Sequence, residues 1–137
     1  MELNKLYDIA KRENISIEDF KMKNKAIIEQ IDKEYYIGLN YSKIGSITEE
    51  KELLAEELGH YYCNAFYNSS SSLSSITQKE YRANKWKCTV LVSVNDLKEA
   101  FKKGLRNIYE IADYLSLSED TVAFAYNYYK ENSYFRR

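Results

Sequence analysis

The segment Leu54–His60 constrains the chain more than any other, because it places the only histidine of 137 residues inside a strongly helical pattern. In a helix, Glu56 and His60 lie one turn apart on the same face, and Glu57 lies one position further round. This is the spacing of the zinc motif H-E-x-x-H, in which two ligands hold the metal and the intervening glutamate handles a water molecule. Here Glu56 stands at the first histidine position, and carboxylate oxygen is also a zinc ligand. The segment therefore predicts a metal-binding helix.

The same helix has a simpler interpretation, an acidic surface face that ends in an incidental histidine. The glutamates of that face are Glu49, Glu50, Glu52, Glu56 and Glu57. Two features favour the metal interpretation instead. Apolar residues flank the glutamate and histidine positions, and Gly59 costs about 1 kcal/mol relative to alanine inside a helix. That cost indicates a backbone or packing constraint beside the histidine.

A second helix, predicted from Ser74 to Val92, offers a third ligand. Apolar residues recur along it at roughly helical spacing, and Glu80 lies near its start. Three protein ligands with an open fourth position are typical of catalytic metal sites. Taken alone, Glu80 is an ordinary exposed helix glutamate, so its assignment depends on the two helices being read together.

Together the two helices resemble the ImmA/IrrE-type metallopeptidases of mobile elements. The resemblance lies in L-A-E-E-L-G-H-Y-Y, from Leu54 to Tyr62, and in K-E-Y-R-A-N-K-W, from Lys79 to Trp86. In that family an H-E-x-x-H helix is followed by an E-x-x-A-[DN]-x-[FW] helix, whose glutamate is the third metal ligand. The likeness covers most of the chain, and these two motifs are its specific part.

The resemblance implies a role for each residue of the motifs. His60 and Glu80 would be metal ligands, Glu57 the general base, and Glu56 would take the first ligand position. The implied ion is Zn²⁺, and the extra carboxylate makes Mn²⁺ the alternative. The implied fold is α+β, a zincin-like metallopeptidase domain with a small antiparallel sheet, a metal helix, a ligand helix and C-terminal helices.

The function implied by the resemblance is that of a metallo-endopeptidase. Its protein substrate would be a helix-turn-helix repressor of a phage or mobile element. Because Glu56 replaces the usual histidine, a second hypothesis is open. It is a metal-free binding module, which docks a repressor or another regulatory partner without cutting it.

Length and charge predict a single cytoplasmic domain. A chain of 137 residues can bury one substantial core. We divide it into a metallopeptidase-like core (1–92) and a helical extension packed on that core (93–137). A net charge of −1 favours neither nucleic acid nor a membrane surface as a partner. No apolar run approaches a membrane span, and the N-terminus lacks a signal-peptide pattern.

Several side chains beside the motifs have more than one interpretation. Cys63 and Cys88 are too few for a disulfide framework and are typical of reduced core thiols, although Cys63 can also face the metal from one turn after His60. A tyrosine near the site can donate a hydrogen bond to the oxyanion that forms during peptide hydrolysis. The candidates are Tyr61, Tyr62 and Tyr81, and the sequence does not choose between them.

The remaining elements follow from periodicity and capping residues. Ahead of the metal helix, the sequence predicts a helix at Glu2–Asn14, a short strand near Ile17–Met22, and a hairpin of Ala26–Ile31 and Glu34–Leu39. Ser46 and Glu49 form a capping box, and the metal helix runs from there to about Tyr67. A serine-rich connecting loop follows at 68–75.

Three C-terminal helices are predicted at Val94–Lys103, Leu105–Leu115 and Glu119–Glu131, with Ser118 as the N-cap of the last. The last two superficially match a DNA-reading helix-turn-helix. From residue 107 to residue 131, however, five acidic residues stand against one basic residue, a net charge of −4. A face that contacts phosphates needs the opposite balance, so we predict no direct binding of nucleic acid.

Overall fold

The computed structural model describes residues 1–63 and 72–135. These residues form six α-helices, a three-stranded sheet and a short 3-10 turn. In chain order the elements are α1 (Leu3–Arg12), β1 (Ile15–Asp19), β2 (Ala26–Ile31), β3 (Glu34–Leu39), the turn (Tyr41–Lys43), α2 (Ile47–Tyr62), α3 (Leu73–Leu91), α4 (Val94–Lys102), α5 (Ile108–Leu115) and α6 (Glu119–Glu131). The predicted α+β class is confirmed.

The chain divides into two compact units, Met1–Lys87 and Cys88–Arg137. The boundary between them falls inside α3, five residues before the division that the sequence indicates. The expectation of a single domain stays a prediction. No helix in the described ranges has the length and apolar character needed to cross a membrane.

The sheet is mixed, so the prediction of an antiparallel sheet is wrong for one pair of strands. Its strand order is β1-β3-β2. The hairpin of β2 and β3 is antiparallel as predicted, with Asp32 in the left-handed region at φ 56°. β1 pairs in parallel with β3, with Ile15 opposite Tyr35. The chain reverses between β1 and β2 and again in the hairpin, so β3 runs in the same direction as β1 and their pairing is parallel.

One face of the sheet supplies much of the core of the first unit. Side chains alternate across a strand, and Ile37 and Leu39 are fully buried on one face of β3. β1 begins two residues earlier than predicted. The reason is Asn14, which follows α1 with φ 58° and turns the chain directly into the strand. Asparagine tolerates this left-handed conformation better than most residues.

Helix α2 begins with a variant of the predicted capping box. The Ser46 hydroxyl accepts a hydrogen bond from the Glu49 N–H at 3.0 Å, as expected. The Glu49 carboxylate accepts from the Gly45 N–H at 2.8 Å instead of from the N–H of Ser46. The helix ends at Tyr62, and residues 64–67 of its predicted extension lie outside the described residues. Helix α3 begins at Leu73, so the last part of the predicted serine-rich loop is helical and residues 68–71 lie outside the described ranges.

The second unit contains the predicted C-terminal helices. Ser93 and Asp96 form a complete capping box at the start of α4. Helix α5 starts at Ile108, three residues later than predicted, because the Asn107 side chain caps it. Helix α6 has the predicted bounds, and Ser118 caps it as expected. Its buried apolar side chains include Val122, Ala125 and Tyr129, and α4 and α5 contribute Leu97, Ala100, Ile111 and Ala112.

Candidate metal centre

Glu56 and His60 on α2 converge with Glu80 on α3. Each of the three residues offers a ligand atom, and these atoms all lie within 4.8 Å of one another. The His60 Nε2 atom is 3.4 Å from Oε1 of Glu80. The structure therefore brings together the three ligands predicted from the sequence, and this group can hold a metal ion.

A close approach of the two helices places the ligands. A Cβ atom added to Gly59 would lie 2.6 Å from the backbone carbonyl oxygen of Ala83, closer than real Cβ atoms come. Ala83 is itself fully buried. Only glycine lets α2 and α3 touch backbone to backbone at this point, directly beside His60. The packing constraint that the sequence indicated at Gly59 is confirmed.

Two further contacts hold the helix pair on either side of that crossing. Lys87 on α3 forms an ion pair with Glu52 on α2 at 3.8 Å, and both side chains are only 14% exposed. Tyr62 stacks on Trp86, with ring centroids 5.0 Å apart. Screening by water is weak at so low an exposure, so the ion pair helps to set the register of the helices.

The donor set fits a divalent transition metal. Two ligands each about 2.1 Å from a tetrahedral zinc ion lie about 3.4 Å apart, which is the distance between His60 Nε2 and Glu80 Oε1. One imidazole and two carboxylates are acceptable donors for zinc and for manganese. The His60 side chain is 10% exposed and that of Glu80 40% exposed. The group is therefore anchored on the buried side of α2 and accessible from α3.

Glu57 lies beside this cluster and is partly buried. Burial, followed in order of size by the negative charges of Glu56, Glu80 and Glu29, raises the pKa of Glu57 to about 8. A bound cation would oppose all three charge effects, because it favours the ionised carboxylate. The structure thus places the predicted general base next to the ligands, in a site that accumulates negative charge.

Cys63 and two of the candidate tyrosines lie near the cluster but have other partners. The Cys63 thiol is partly exposed and donates to the carbonyl of Arg82 at 3.4 Å, so its assignment to the core is wrong, whereas Cys88 is buried as predicted. The Tyr61 and Tyr62 hydroxyls both donate to the carboxylate of Glu13, at 3.1 and 3.0 Å. Tyr81, the third tyrosine, is 52% exposed on α3.

Glu13 and Glu29 belong to the surroundings of the site, and the sequence did not single them out. Glu29 is on β2, which packs against α2, and its charge acts on Glu57. Glu13 is the C-cap of α1 and receives the two tyrosine hydroxyls. Both lie more than 25 residues from their partners. No local pattern connects residues so far apart, so no sequence signal was available.

No protein-family model matches the chain, and no curated protein and no solved structure is detectably similar to it.

Proposed function

We propose that this protein is a metallo-endopeptidase of the ImmA/IrrE type, with a zincin-like domain in which Glu56, His60 and Glu80 hold Zn²⁺. The observation that carries the proposal is the convergence of those three ligand atoms within 4.8 Å, across two helices. Mn²⁺ is the alternative ion, because two of the three donors are carboxylates and manganese favours oxygen ligands.

The residues of the site have distinct chemical roles in peptide hydrolysis. When bound, the ion supplies Lewis acidity, which polarises a carbonyl and acidifies a water molecule. Glu57 accepts the proton of the attacking water and later donates it to the leaving amine. Its position one residue from Glu56, beside the cluster and partly buried, suits a general base. Gly59 positions the two ligand helices and does not take part in the reaction.

An extended peptide can reach this site along the sheet. Within the described residues β2 is an edge strand, and it packs against α2. A substrate segment that pairs with this edge gains main-chain hydrogen bonds, whatever its side chains are. The proposed substrate, a helix-turn-helix repressor of a phage or mobile element, rests on the resemblance of the two motifs, Leu54–Tyr62 and Lys79–Trp86. A repressor would have to unfold locally before cleavage, so its flexible linker is the expected target.

Metal content is the first test. We expect purified protein, loaded with zinc and freed of excess ion, to retain one equivalent of metal by mass spectrometry. His60→Ala and Glu80→Gln should each abolish that retention. The matched control is Glu131→Gln, an exposed glutamate at the end of α6. Retention by all variants alike would contradict the site.

Cleavage is a separate test. A co-expressed repressor should be cut by the wild type and spared by Glu57→Gln, which removes the base and keeps the shape of the side chain. If Glu57→Gln still retains zinc, its loss of cleavage results from removal of the base and not from loss of the metal. Equal cleavage by this variant would reject Glu57 as the base.

A metal-free binding module is the second candidate, and one observation favours it. Glu56 occupies the first ligand position, so that carboxylates outnumber the imidazole in the cluster. If the protein retains neither zinc nor manganese under replete conditions but still co-purifies with the repressor intact, the binding module replaces the peptidase.

A further inference from the structure

A cavity of about 480 Å³ opens in the first unit, at the end of the sheet where β1 and β3 begin. Five residues line it: Asn14, Ser16, Glu34, Tyr35 and Tyr36. Its volume falls within the range of about 300–1,000 Å³ that is typical of small-ligand sites. None of the lining residues belongs to the metal cluster, so the cavity is a separate candidate binding site.

Two hydroxyl groups of the cavity are arranged as acceptors. The Tyr36 hydroxyl donates its proton to Oε2 of Glu34 at 2.6 Å. The Ser16 hydroxyl donates to Oε1 of Glu18 at 2.7 Å. Each hydroxyl therefore presents only its oxygen lone pairs to a ligand, and a carboxylate has further acceptor positions. The Ser16 and Tyr36 hydroxyls and the Glu34 carboxylate therefore favour a ligand that donates hydrogen bonds.

The two tyrosine rings among the lining residues lie on opposite faces of β3, and each is held in place by a neighbour. The Tyr35 ring packs edge-on against Tyr61, with centroids 5.0 Å apart and planes at 88°. The Tyr36 ring is tethered through its hydroxyl to Glu34. That hydrogen bond also raises the pKa of Tyr36, because it favours the protonated phenol. Walls that are ordered before a ligand arrives reduce the entropic cost of binding.

We infer that this cavity binds the guanidinium group of an arginine side chain, presented by a partner polypeptide. A planar guanidinium can stack on a tyrosine ring while its N–H groups donate in the plane to a carboxylate. Glu34 and Tyr36, which lie on the same face of β3, supply these two kinds of contact at the cavity. None of the five lining residues is basic, so the incoming charge meets no repulsion within the lining. The inference is independent of the metal centre and of peptidase activity.

The test is an NMR titration of the full-length ¹⁵N-labelled protein with N-acetyl-L-arginine amide. The neutral isostere N-acetyl-L-citrulline amide is the matched ligand control. We expect arginine amide to shift the backbone amides of Ser16, Tyr35 and Tyr36 in a saturable way, and citrulline amide to bind at least tenfold more weakly. Equal shifts from both ligands, or shifts scattered away from the cavity, overturn the inference.

Variants of the protein provide the second arm. Glu34→Gln should weaken binding of arginine amide about tenfold, because it removes the charge and preserves the shape. Asp8→Asn removes the same charge from an exposed position on α1 and should change the affinity less than twofold. Tyr36→Leu should weaken binding about fivefold through loss of the aromatic wall, and its amide spectrum reports whether the fold is intact. Undiminished binding by a folded Glu34→Gln variant overturns the assignment.

Two further ligands distinguish an arginine within a polypeptide from free L-arginine. A capped pentapeptide with arginine between alanines should bind at least as tightly as arginine amide, whereas free L-arginine carries a carboxylate that the carboxylate of Glu34 repels. Tighter binding of the pentapeptide supports a polypeptide partner. Preference for free L-arginine overturns the polypeptide assignment.

Discussion

The backbone of Gly59 lies directly against the carbonyl of Ala83, and this contact joins the two helices that carry the candidate metal ligands. A Cβ atom at position 59 would meet the Ala83 oxygen at 2.6 Å. Because a backbone carbonyl cannot rotate away as a side chain can, any larger residue must separate the helices. His60 is the next residue along α2 and Glu80 lies one turn before Ala83 on α3. The separation would therefore widen the metal site.

Replacing Gly59 by alanine should destabilise the protein in spite of the better helix propensity of alanine. The propensity gain is about 1 kcal/mol, whereas overpacking in a tight contact costs typically about 1–3 kcal/mol. We expect a net loss of stability in urea denaturation, together with at least tenfold weaker zinc binding. Gly45→Ala is the control, because a Cβ there meets nothing within 4 Å. Equal stability of both variants would show that the helices move apart freely.

Replacing Glu56 by histidine should strengthen zinc binding. The variant has the complete H-E-x-x-H spacing, and imidazole removes one negative charge from a site where carboxylates crowd Glu57. We expect at least a tenfold lower dissociation constant in competition with a chromogenic chelator. Glu131→His adds a histidine at an exposed site on α6 and should leave the affinity unchanged. An affinity unchanged from that of the wild type would mean that the side chain at position 56 does not contact the ion.

Metal binding should stabilise the folded protein, because the three ligands come together only when α2 and α3 pack. Free zinc at about 100 times its dissociation constant should add about 2.7 kcal/mol to the free energy of unfolding. Thermal denaturation of the wild type should therefore shift to lower temperature after chelation and recover when zinc is restored. Glu80→Gln should show little of this shift. An identical shift in that variant would place the ion elsewhere.

The start of α2 should weaken at acidic pH because of Glu49. A hydrogen bond from Lys25 lowers the pKa of Glu49 below its ordinary value of 4.5, and the N–H of Gly45 lowers it further. Since the folded pKa is the lower one, the ionised carboxylate stabilises the fold above pH 4.5, and this contribution is lost as the pH falls through the folded pKa.

Glu49→Gln should accordingly be less stable than the wild type at pH 7, and the difference should vanish at low pH. Chemical denaturation at a series of pH values measures it. Lys25→Gln removes the first cause and keeps the backbone hydrogen bond from Gly45, so it should reduce the pH-dependent difference without abolishing it. If the difference in stability between the wild type and Glu49→Gln persists unchanged to low pH, it comes from helix capping alone and not from the charge of Glu49.

In the second unit, the hydroxyl group of Tyr129 should contribute to the stability of the fold. The hydroxyl donates to the carbonyl of Val92 at 2.6 Å, and burial raises the pKa of Tyr129 to about 12. Tyr129→Phe leaves a buried carbonyl short of a donor and should cost about 1–3 kcal/mol in denaturant unfolding. Tyr109→Phe is the matched control, because Tyr109 is 67% exposed. Equal stabilities would mean that another donor replaces the hydroxyl.

Sequence features within a few neighbouring residues were sufficient to predict much of the secondary structure. Ser46, Ser93 and Ser118 each accept a hydrogen bond from the third residue of the helix that follows. The strand-like periodicity on either side of Asp32 marked the hairpin of β2 and β3 correctly. Such features depend on residues within a few positions of one another, and these short spacings can be read directly from the chain. Two boundary errors, at the starts of β1 and α5, arose where Asn14 turns the chain into the strand and where Asn107 caps the helix.

The pairing of β1 and the assembly of the metal centre were decided by the tertiary structure. Nothing in the strand sequences states that β1 joins β3 in parallel, because register and order depend on which surfaces the rest of the chain covers. Glu56 and His60 share a helix face by periodicity alone. Glu80 reaches them because Gly59 and Ala83 let two backbones touch. Spacing along a helix fixes neighbours within that helix, whereas contact between helices depends on packing, which involves distant residues.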